Sequence, residues 1–148
     1  MNNLLSSQLY DNRNFYKAFE KDLKSAQRSV LIESPFITTR RMYDLLPIFH
    51  MLRQRGVHIV VNTRSPAEHD YEYAQQATNS VQAMQEMDIL VLYTGKLHRK
   101  LAIIDSKILW EGSLNIFSQN DSCEIMQRTE SEQLARQMLR FTRVERFL

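Results

Sequence analysis

The stretch HRKLAIIDSKILWEGSLN, residues 98–115, places polar and charged side chains at both ends of two short apolar runs. The runs at 101–104 and 108–110 are rich in β-branched residues, which favour strands. The three polar residues between them, 105–107, suit a tight turn. The stretch therefore predicts an antiparallel hairpin.

Polar groups before and after this hairpin are expected to meet. Side chains two residues apart on a strand point to the same side, so His98 and Lys100 bring an imidazole and an ammonium into one pocket. Gly112 allows a close backbone approach or a sharp turn. Ser113 and Asn115 then offer a hydroxyl and an amide to the same pocket. Together these groups suit a phosphate.

Upstream of the hairpin, strand-like and helix-like patterns alternate. A helix beginning near Phe15 is expected to stop near Arg28, and Thr38 or Thr39 caps a short helix before a second one that starts at Asp44. Two helices are expected here because Pro47 is tolerated only in a first turn. The remaining pattern predicts strands at 30–32, 57–61 and 89–92, and a helix at 71–87.

Downstream, a strand is expected around 123–127, either at an edge or inside the sheet. A last helix is marked by apolar residues at Leu134, Met138 and Phe141. The alternation implies a parallel sheet covered by helices, to which the hairpin adds antiparallel strands. We therefore expect an α/β fold, with a mixed β-sheet flanked by helices on both faces, in a single domain over 1–148.

Composition narrows the function classes. The chain has 148 residues, 43% of them hydrophobic and 24% charged, which suits one globular domain with a proper core. Its net charge is only +2, so attraction to a polyanion must come from local clustering of cations. Apolar runs of about six residues fall short of the ~20 that cross a bilayer. With the single Cys123 and no secretory signal, we expect a cytoplasmic protein without a membrane role.

Two predicted helices carry basic faces. For the basic face of the first helix, the simpler interpretation is a solvated surface, and the more specific one is contact with nucleic acid. Arg64 and Arg128 lie near predicted strand ends, where either a nucleic-acid backbone or a surface salt bridge would suit them. The basic residues are Arg13, Lys17, Lys21, Lys24 and Arg28 in the first helix, and Arg136, Arg140 and Arg143 in the last.

The spacing of these motifs resembles the signature of the phospholipase D superfamily, His-x-Lys, four residues, Asp, six residues, then Gly-Ser-x-Asn. Every fixed position is present, from His98 to Asn115. Residues 34–37, residues 55–57 and Glu124 are also similar to the nuclease-like members. The resemblance implies the phospholipase D-like fold. The chain has one signature, as in single-motif bacterial nucleases, so the resemblance also implies a homodimer that shares one active site.

The resemblance further implies a phosphodiesterase that acts without a metal or other cofactor. His98 would attack phosphorus to form a phosphohistidine, and His98 of a second subunit would protonate the leaving oxygen. Lys100 and Asn115 would stabilise the charge on the nonbridging oxygens. Glu124 is the candidate to orient the imidazole, and Ser113 to bind phosphate or hold the site. Asp105, at the hairpin turn, is a candidate site residue whose structural role is equally favoured.

Three functions remain open at this point. The first is an endonuclease-like hydrolase of nucleic acid, with DNA favoured over RNA, and it is supported by the motif and the basic helices. The second is a lipid-processing enzyme, because the same chemistry serves phospholipids. The third is a nucleic-acid-binding module with little turnover. A helicase or restriction partner is possible for domains of this kind, and no residue of the chain tests it.

Overall fold

The computed structural model describes residues 6–118 and 121–148. Their strands form one seven-stranded mixed sheet in the order β1-β7-β6-β5-β2-β3-β4, with β2, β3 and β4 parallel and the other neighbours antiparallel. The strands are β1 (Ser7–Asp11), β2 (Ser29–Glu33), β3 (His58–Thr63), β4 (Leu90–Tyr93), β5 (Leu101–Ile104), β6 (Ile108–Gly112) and β7 (Ile125–Glu130). The helices are α1 (Phe15–Lys24), α2 (Thr39–Gln54), α3 (Tyr71–Glu86) and α4 (Glu132–Thr142), with short 3₁₀ turns at Pro66–Glu68 and Glu145–Phe147.

Helices cover both faces of the sheet. The larger core packs α1, α2 and α3 against one face, where Phe15, Phe49 and Trp110 are fully buried. The smaller core packs α4 against the other face, over side chains such as Leu31 and Ile103. Strands buried on both faces read as continuous apolar runs, as β2 and β5 do. The predicted α/β fold with a mixed sheet flanked on both faces is confirmed.

The sequence predicted two helices around Pro47, but the structure has one continuous helix, α2, with Pro47 inside it. Its first turn is capped by the Thr38 hydroxyl, which accepts a hydrogen bond from the Arg41 N–H at 3.4 Å. Proline removes one intrahelical N–H donor and crowds the carbonyl four residues earlier. Continuous packing of Leu45, Phe49 and other residues of this face into the larger core offsets that local cost.

Strand β1 was missed by the sequence pattern, because SQLYD carries no apolar alternation. Pairing with β7 stabilises it, and that pairing places β7 inside the sheet. The apolar face predicted for the last helix was also wrong for Leu134 and Phe141, although Met138 packs partly buried against the smaller core. Ala135, Leu139 and Thr142 face the sheet, whereas Leu134 and Phe141 are exposed. The small Ala135 side chain lets α4 approach the sheet closely, and this contact fixes the rotation of the helix.

The predicted hairpin is confirmed as β5 and β6. Its turn is closed by the Lys107 N–H, which donates to the Ile104 carbonyl at 3.1 Å. Asp105 and Ser106 both adopt positive φ, at 56° and 55°. Within residues 6–118 and 121–148, no helix combines the length and apolar character needed to cross a bilayer.

Candidate active site

The polar ends of the hairpin meet at one edge of the sheet. Strands β2, β3 and β4 run parallel, so their carboxyl ends share this edge, and the antiparallel partner β5 begins there. Open α/β sheets bind ligands at such an edge. His98 and Lys100 precede β5, Gly112 ends β6, and Arg64 follows β3. The fold therefore gathers one cationic group of residues from three separate segments.

His98 is exposed, and its imidazole contacts the guanidinium of Arg64. Nη2 of Arg64 lies 3.0 Å from His98 Nε2, while its Nε donates to the Leu97 carbonyl at 2.8 Å. The same Nη2 lies 3.4 Å from His98 Nδ1, and because a guanidinium can only donate, the tautomer of the imidazole decides which ring nitrogen accepts. Within residues 6–118 and 121–148, no carboxylate forms an ion pair with Arg64. A nucleophilic nitrogen and an available cation thus lie side by side.

Lys100 lies beside the same group. Its Nζ donates to the His98 carbonyl at 2.7 Å. Partial burial lowers the pKa of Lys100, the Glu124 carboxylate opposes this by raising it, and the positive charge of Arg64 lowers it further. The Lys100 ammonium is thus held next to the His98 backbone, where it can bind a negatively charged group.

Glu124 connects the second half of the signature to Lys100. Hydrogen bonds from the hydroxyls of Ser113 and Ser122 lower the pKa of Glu124, burial opposes them, and the charge of Lys100 also lowers it. Ser113 Oγ in turn accepts from the Ile125 N–H at 3.0 Å. The hydrogen bonds of the described chain do not include one between Glu124 and the His98 imidazole. The expected orienting role of Glu124 therefore stays a prediction.

Asn115 presents a buried polar atom without a partner. Within the described part of the chain, its side-chain Oδ1 has no hydrogen bond. Buried polar atoms are nearly always paired, so an unpaired one calls for an explanation such as a missing ligand. When the Asn115 carboxamide rotates by half a turn, its oxygen and nitrogen exchange places. The side chain then presents an N–H donor where the oxygen was. A cavity of about 140 Å³ is lined by the chain neighbour Leu114 together with Tyr16 and Glu124, whereas Asn115 is not part of its lining.

Two signature positions have structural surroundings. A Cβ at Gly112 would run into the carbonyl oxygen of Ile125, so only glycine allows β6 and β7 to come this close. Asp105 lies at the opposite end of β5 from Lys100 and is 6% exposed. Its carboxylate accepts from the backbone N–H groups of Gln27, Arg28 and Ser29 at 2.7–3.2 Å. This placement favours the structural role for Asp105.

A buried ionic network below the site escaped the sequence analysis. Glu33 is fully buried and accepts two hydrogen bonds from Arg99, at 2.7 and 3.0 Å. Asn62 donates to the same carboxylate at 2.7 Å and accepts from the Thr94 hydroxyl at 2.9 Å. The only signals were a carboxylate at the end of the apolar run of β2 and an arginine between His98 and Lys100. The network anchors the segment 98–100 to three neighbouring strands.

Arg128, the other arginine near a strand end, is engaged elsewhere. It forms ion pairs with Asp22 at 2.7 Å and Glu130 at 2.9 Å, and the hydrogen bonds that it donates to Asp22 raise its pKa. Trp110 Nε1 donates to the same Asp22 carboxylate at 2.8 Å. Of the two interpretations, the structure thus shows salt bridging. No group of three or more His, Cys, Asp or Glu residues in the described ranges is arranged to hold a metal ion.

This chain matches a protein-family model by sequence and several solved structures by fold. A family model described as "Cardiolipin synthase, PLD-like domain" matches residues 19–144. Nuc from Salmonella typhimurium, described as a phospholipase D family member, has a similar structure, with a TM-score of 0.75 and 15% identity over 92% of this chain and 90% of Nuc. NucT from Helicobacter pylori gives 0.68 and 20% identity over 91% of both chains.

A similar fold also occurs in an enzyme of a different kind. Polyphosphate kinase from Porphyromonas gingivalis gives a TM-score of 0.72 at 13% identity, covering 96% of this chain and 26% of the kinase. None of the curated proteins compared matches the sequence. At these identities the structural likeness establishes the fold alone.

Proposed function

This chain belongs to the phospholipase D-like family, and we propose that it is a metal-independent nuclease whose active site is completed by a second copy of the chain. The observation that carries the proposal is the exposed imidazole of His98, whose Nε2 lies 3.0 Å from Arg64 Nη2, while Lys100 Nζ donates to the His98 carbonyl. This pairing of a nucleophile with cations suits attack on a phosphodiester.

The first step forms a covalent phosphohistidine. The Nε2 lone pair of His98 attacks phosphorus, the P–O bond to the leaving group breaks, and His98 of the partner subunit gives that oxygen a proton. As charge builds on the nonbridging oxygens, Lys100 and Asn115 stabilise it by hydrogen bonding. The Arg64 guanidinium moves from the imidazole to a nonbridging phosphate oxygen. Its hydrogen-bond acceptor thereby changes from a neutral ring nitrogen to a charged oxygen.

The second step releases the product. Water attacks the phosphohistidine, the P–N bond breaks, and the partner's His98 takes the proton from that water. One chain contributes a single histidine of this kind, so we assign the nucleophile and the general acid to His98 of two copies. The coverage of about nine-tenths of both Nuc and NucT is in keeping with a domain of the same extent.

A phospholipid substrate is the second candidate, because the matching family model carries the name of a lipid enzyme. The same attack on phosphorus would serve either diester. In this proposal the groups around His98 contact only the phosphate. They therefore do not determine whether the rest of the substrate is a lipid or a nucleotide. Nucleic acid is preferred here because cations beyond this site suit a repeating polyanion.

The test offers several diesters to the purified protein. Single-stranded DNA, duplex DNA, RNA and phosphatidylcholine vesicles are each incubated with the wild type and with His98→Ala in excess EDTA, and product formation is followed. We expect nucleic-acid cleavage that resists EDTA and is abolished in His98→Ala, with acid-labile phosphate trapped on the wild type. Lipid turnover alone would replace the proposal with the second candidate, and binding without any cleavage would refute an enzymatic role.

A further inference from the structure

A basic groove lies next to the catalytic segment, on the α4 face of the sheet. It encloses about 590 Å³ and its lining contains no aspartate or glutamate. Three arginines line it, Arg99, Arg143 and Arg146. Of these, Arg99 is paired with Glu33, while Arg143 and Arg146 form no ion pair within residues 6–118 and 121–148. The groove therefore carries uncompensated positive charge, although the chain as a whole is nearly neutral.

Exposed aromatic rings accompany these arginines. Phe141 is 62% exposed and Tyr93 is 50% exposed, and both line the groove, as does Phe147. Large apolar residues on a helix normally face the core, so the outward position of Phe141 requires another explanation. Aromatic faces next to cations are the combination that binds single-stranded nucleic acid, since every base can stack on a ring.

The groove reaches the same end of the sheet as the proposed active site, because it is lined by residues at the end of β4 and just before β5. Arg99 lines it and stands between His98 and Lys100 in the chain. Thr94, at the end of β4, also lines it and begins the loop that leads to His98. Adjacent residues of an extended segment point to opposite sides, so a nucleic-acid strand whose phosphodiester lies at His98 has to cross this end of the sheet to reach the groove.

From these observations we infer that the groove of Arg143, Arg146, Tyr93 and Phe141 holds unpaired nucleotides next to the scissile phosphate, so that the substrate is a single-stranded nucleic acid. The inference rests on the proposed function. The arginines contact backbone phosphates, and the rings stack on bases. A duplex keeps its bases stacked inside and could use only the arginines.

Charge neutralisation tests the phosphate contacts. Binding of labelled oligonucleotides longer than the ~4–16 nucleotides that such sites cover is measured by anisotropy over a series of salt concentrations, in His98→Ala protein to prevent cleavage. We expect Arg143→Gln with Arg146→Gln to lower the slope of log Kd against log salt by about 1.4, at ~0.7 per lost contact. The matched control, Arg40→Gln with Lys107→Gln, removes the same charge from exposed positions outside the groove and outside both basic helices. Equal slopes in both double variants would overturn the inference.

Removal of a ring tests the stacking. Phe141→Ala should weaken single-strand binding roughly 5- to 100-fold, and leave duplex binding within about twofold. Tyr71→Ala removes an even more exposed ring, 82% against 62%, from α3 as the control. A change shared by single strand and duplex, or by both ring variants, would contradict the preference for unpaired nucleotides.

A small substrate separates the two proposals. Bis(4-nitrophenyl) phosphate reaches His98 without entering the groove, so the arginine double variant with His98 intact should cleave it at the parental rate. If the parent cleaves no diester at all, the proposed function fails, while the binding measurements still decide the groove. If the double variant loses activity on this small diester, the groove residues act on the site itself and the inference is wrong.

Discussion

The two ends of strand β5 carry parts of the same signature in opposite environments. At one end, His98 is exposed and Lys100 half-buried, and Arg64 adds a cation with no ion pair in the described chain. At the other end, about 16 Å away at ~3.3 Å per residue, Asp105 is buried and accepts three backbone N–H groups. The first end is available to a ligand, whereas the second is fully used by the fold.

This difference teaches that a sequence signature records architecture as well as chemistry. Asp105 holds the chain between α1 and β2, and so fixes where the strand next to β5 begins. The same contrast recurs within the segment 98–100. Arg99 pairs with a buried carboxylate, while neither His98 nor Lys100 forms an ion pair within the described residues. We expect substitutions at these positions to separate stability from activity.

The largest effect is expected at the buried end. Asp105→Ala leaves three backbone donors without an acceptor and places alanine at a φ of 56°, so the free energy of unfolding should fall by about 3–5 kcal/mol. Asp105→Asn keeps one acceptor oxygen and tolerates this conformation, so it should lose less. Denaturant unfolding measures both, and activity per folded molecule should stay unchanged. Loss of activity in a variant of unchanged stability would instead make Asp105 a catalytic residue.

The next effect separates the buried network from an ordinary ion pair. Glu33→Gln removes the charge that anchors Arg99, and we expect kcat to fall about 100-fold, because misplacing a catalytic group by about 1 Å has that cost. Asp22→Asn is the matched control, since Asp22 also pairs an arginine but lies away from His98. Both variants should lose about 1–3 kcal/mol of stability. A similar fall in kcat for both would show general destabilisation and not positioning.

The smallest effect concerns the pH dependence at the open end. Lys100 stabilises the transition state only when protonated, and burial lowers its pKa, so kcat/KM should fall on the alkaline side below the ordinary range of lysine. Glu124 raises this pKa, and Glu124→Gln should therefore move the alkaline limb to lower pH. Lys100→Arg should move the limb out of the measurable range. A limb that stays in place in both variants would assign it to another group.

Much of the fold could be predicted, because it depends on local patterns. Apolar runs gave the buried strands β2, β3 and β5, and the turn between β5 and β6 followed from its polar residues. Elements stabilised by distant contacts were less accessible. The polar strand β1 exists through its pairing with β7, and α2 continues through Pro47 because its neighbours pack into the core. The rotation of α4 depends on the sheet beneath it.

The candidate site divides in the same way. The spacing of residues 98–115 alone predicts that His98, Lys100, Ser113 and Asn115 meet. Nothing in the sequence connects Arg64 to His98 or Glu33 to Arg99, since these pairs are separated by 34 and 66 residues. Only the parallel arrangement of β2, β3 and β4 brings their carboxyl ends to the start of β5.

The sequence by itself therefore determined the family and the mixed sheet and predicted a nucleophile, because these depend on short-range periodicity and on a spaced signature. Tertiary structure alone decided which charges are buried in pairs, which remain open, and where exposed rings line a basic groove. The physical reason is that burial and ionic pairing depend on distances between remote segments. These distances are set by the packing of the whole chain.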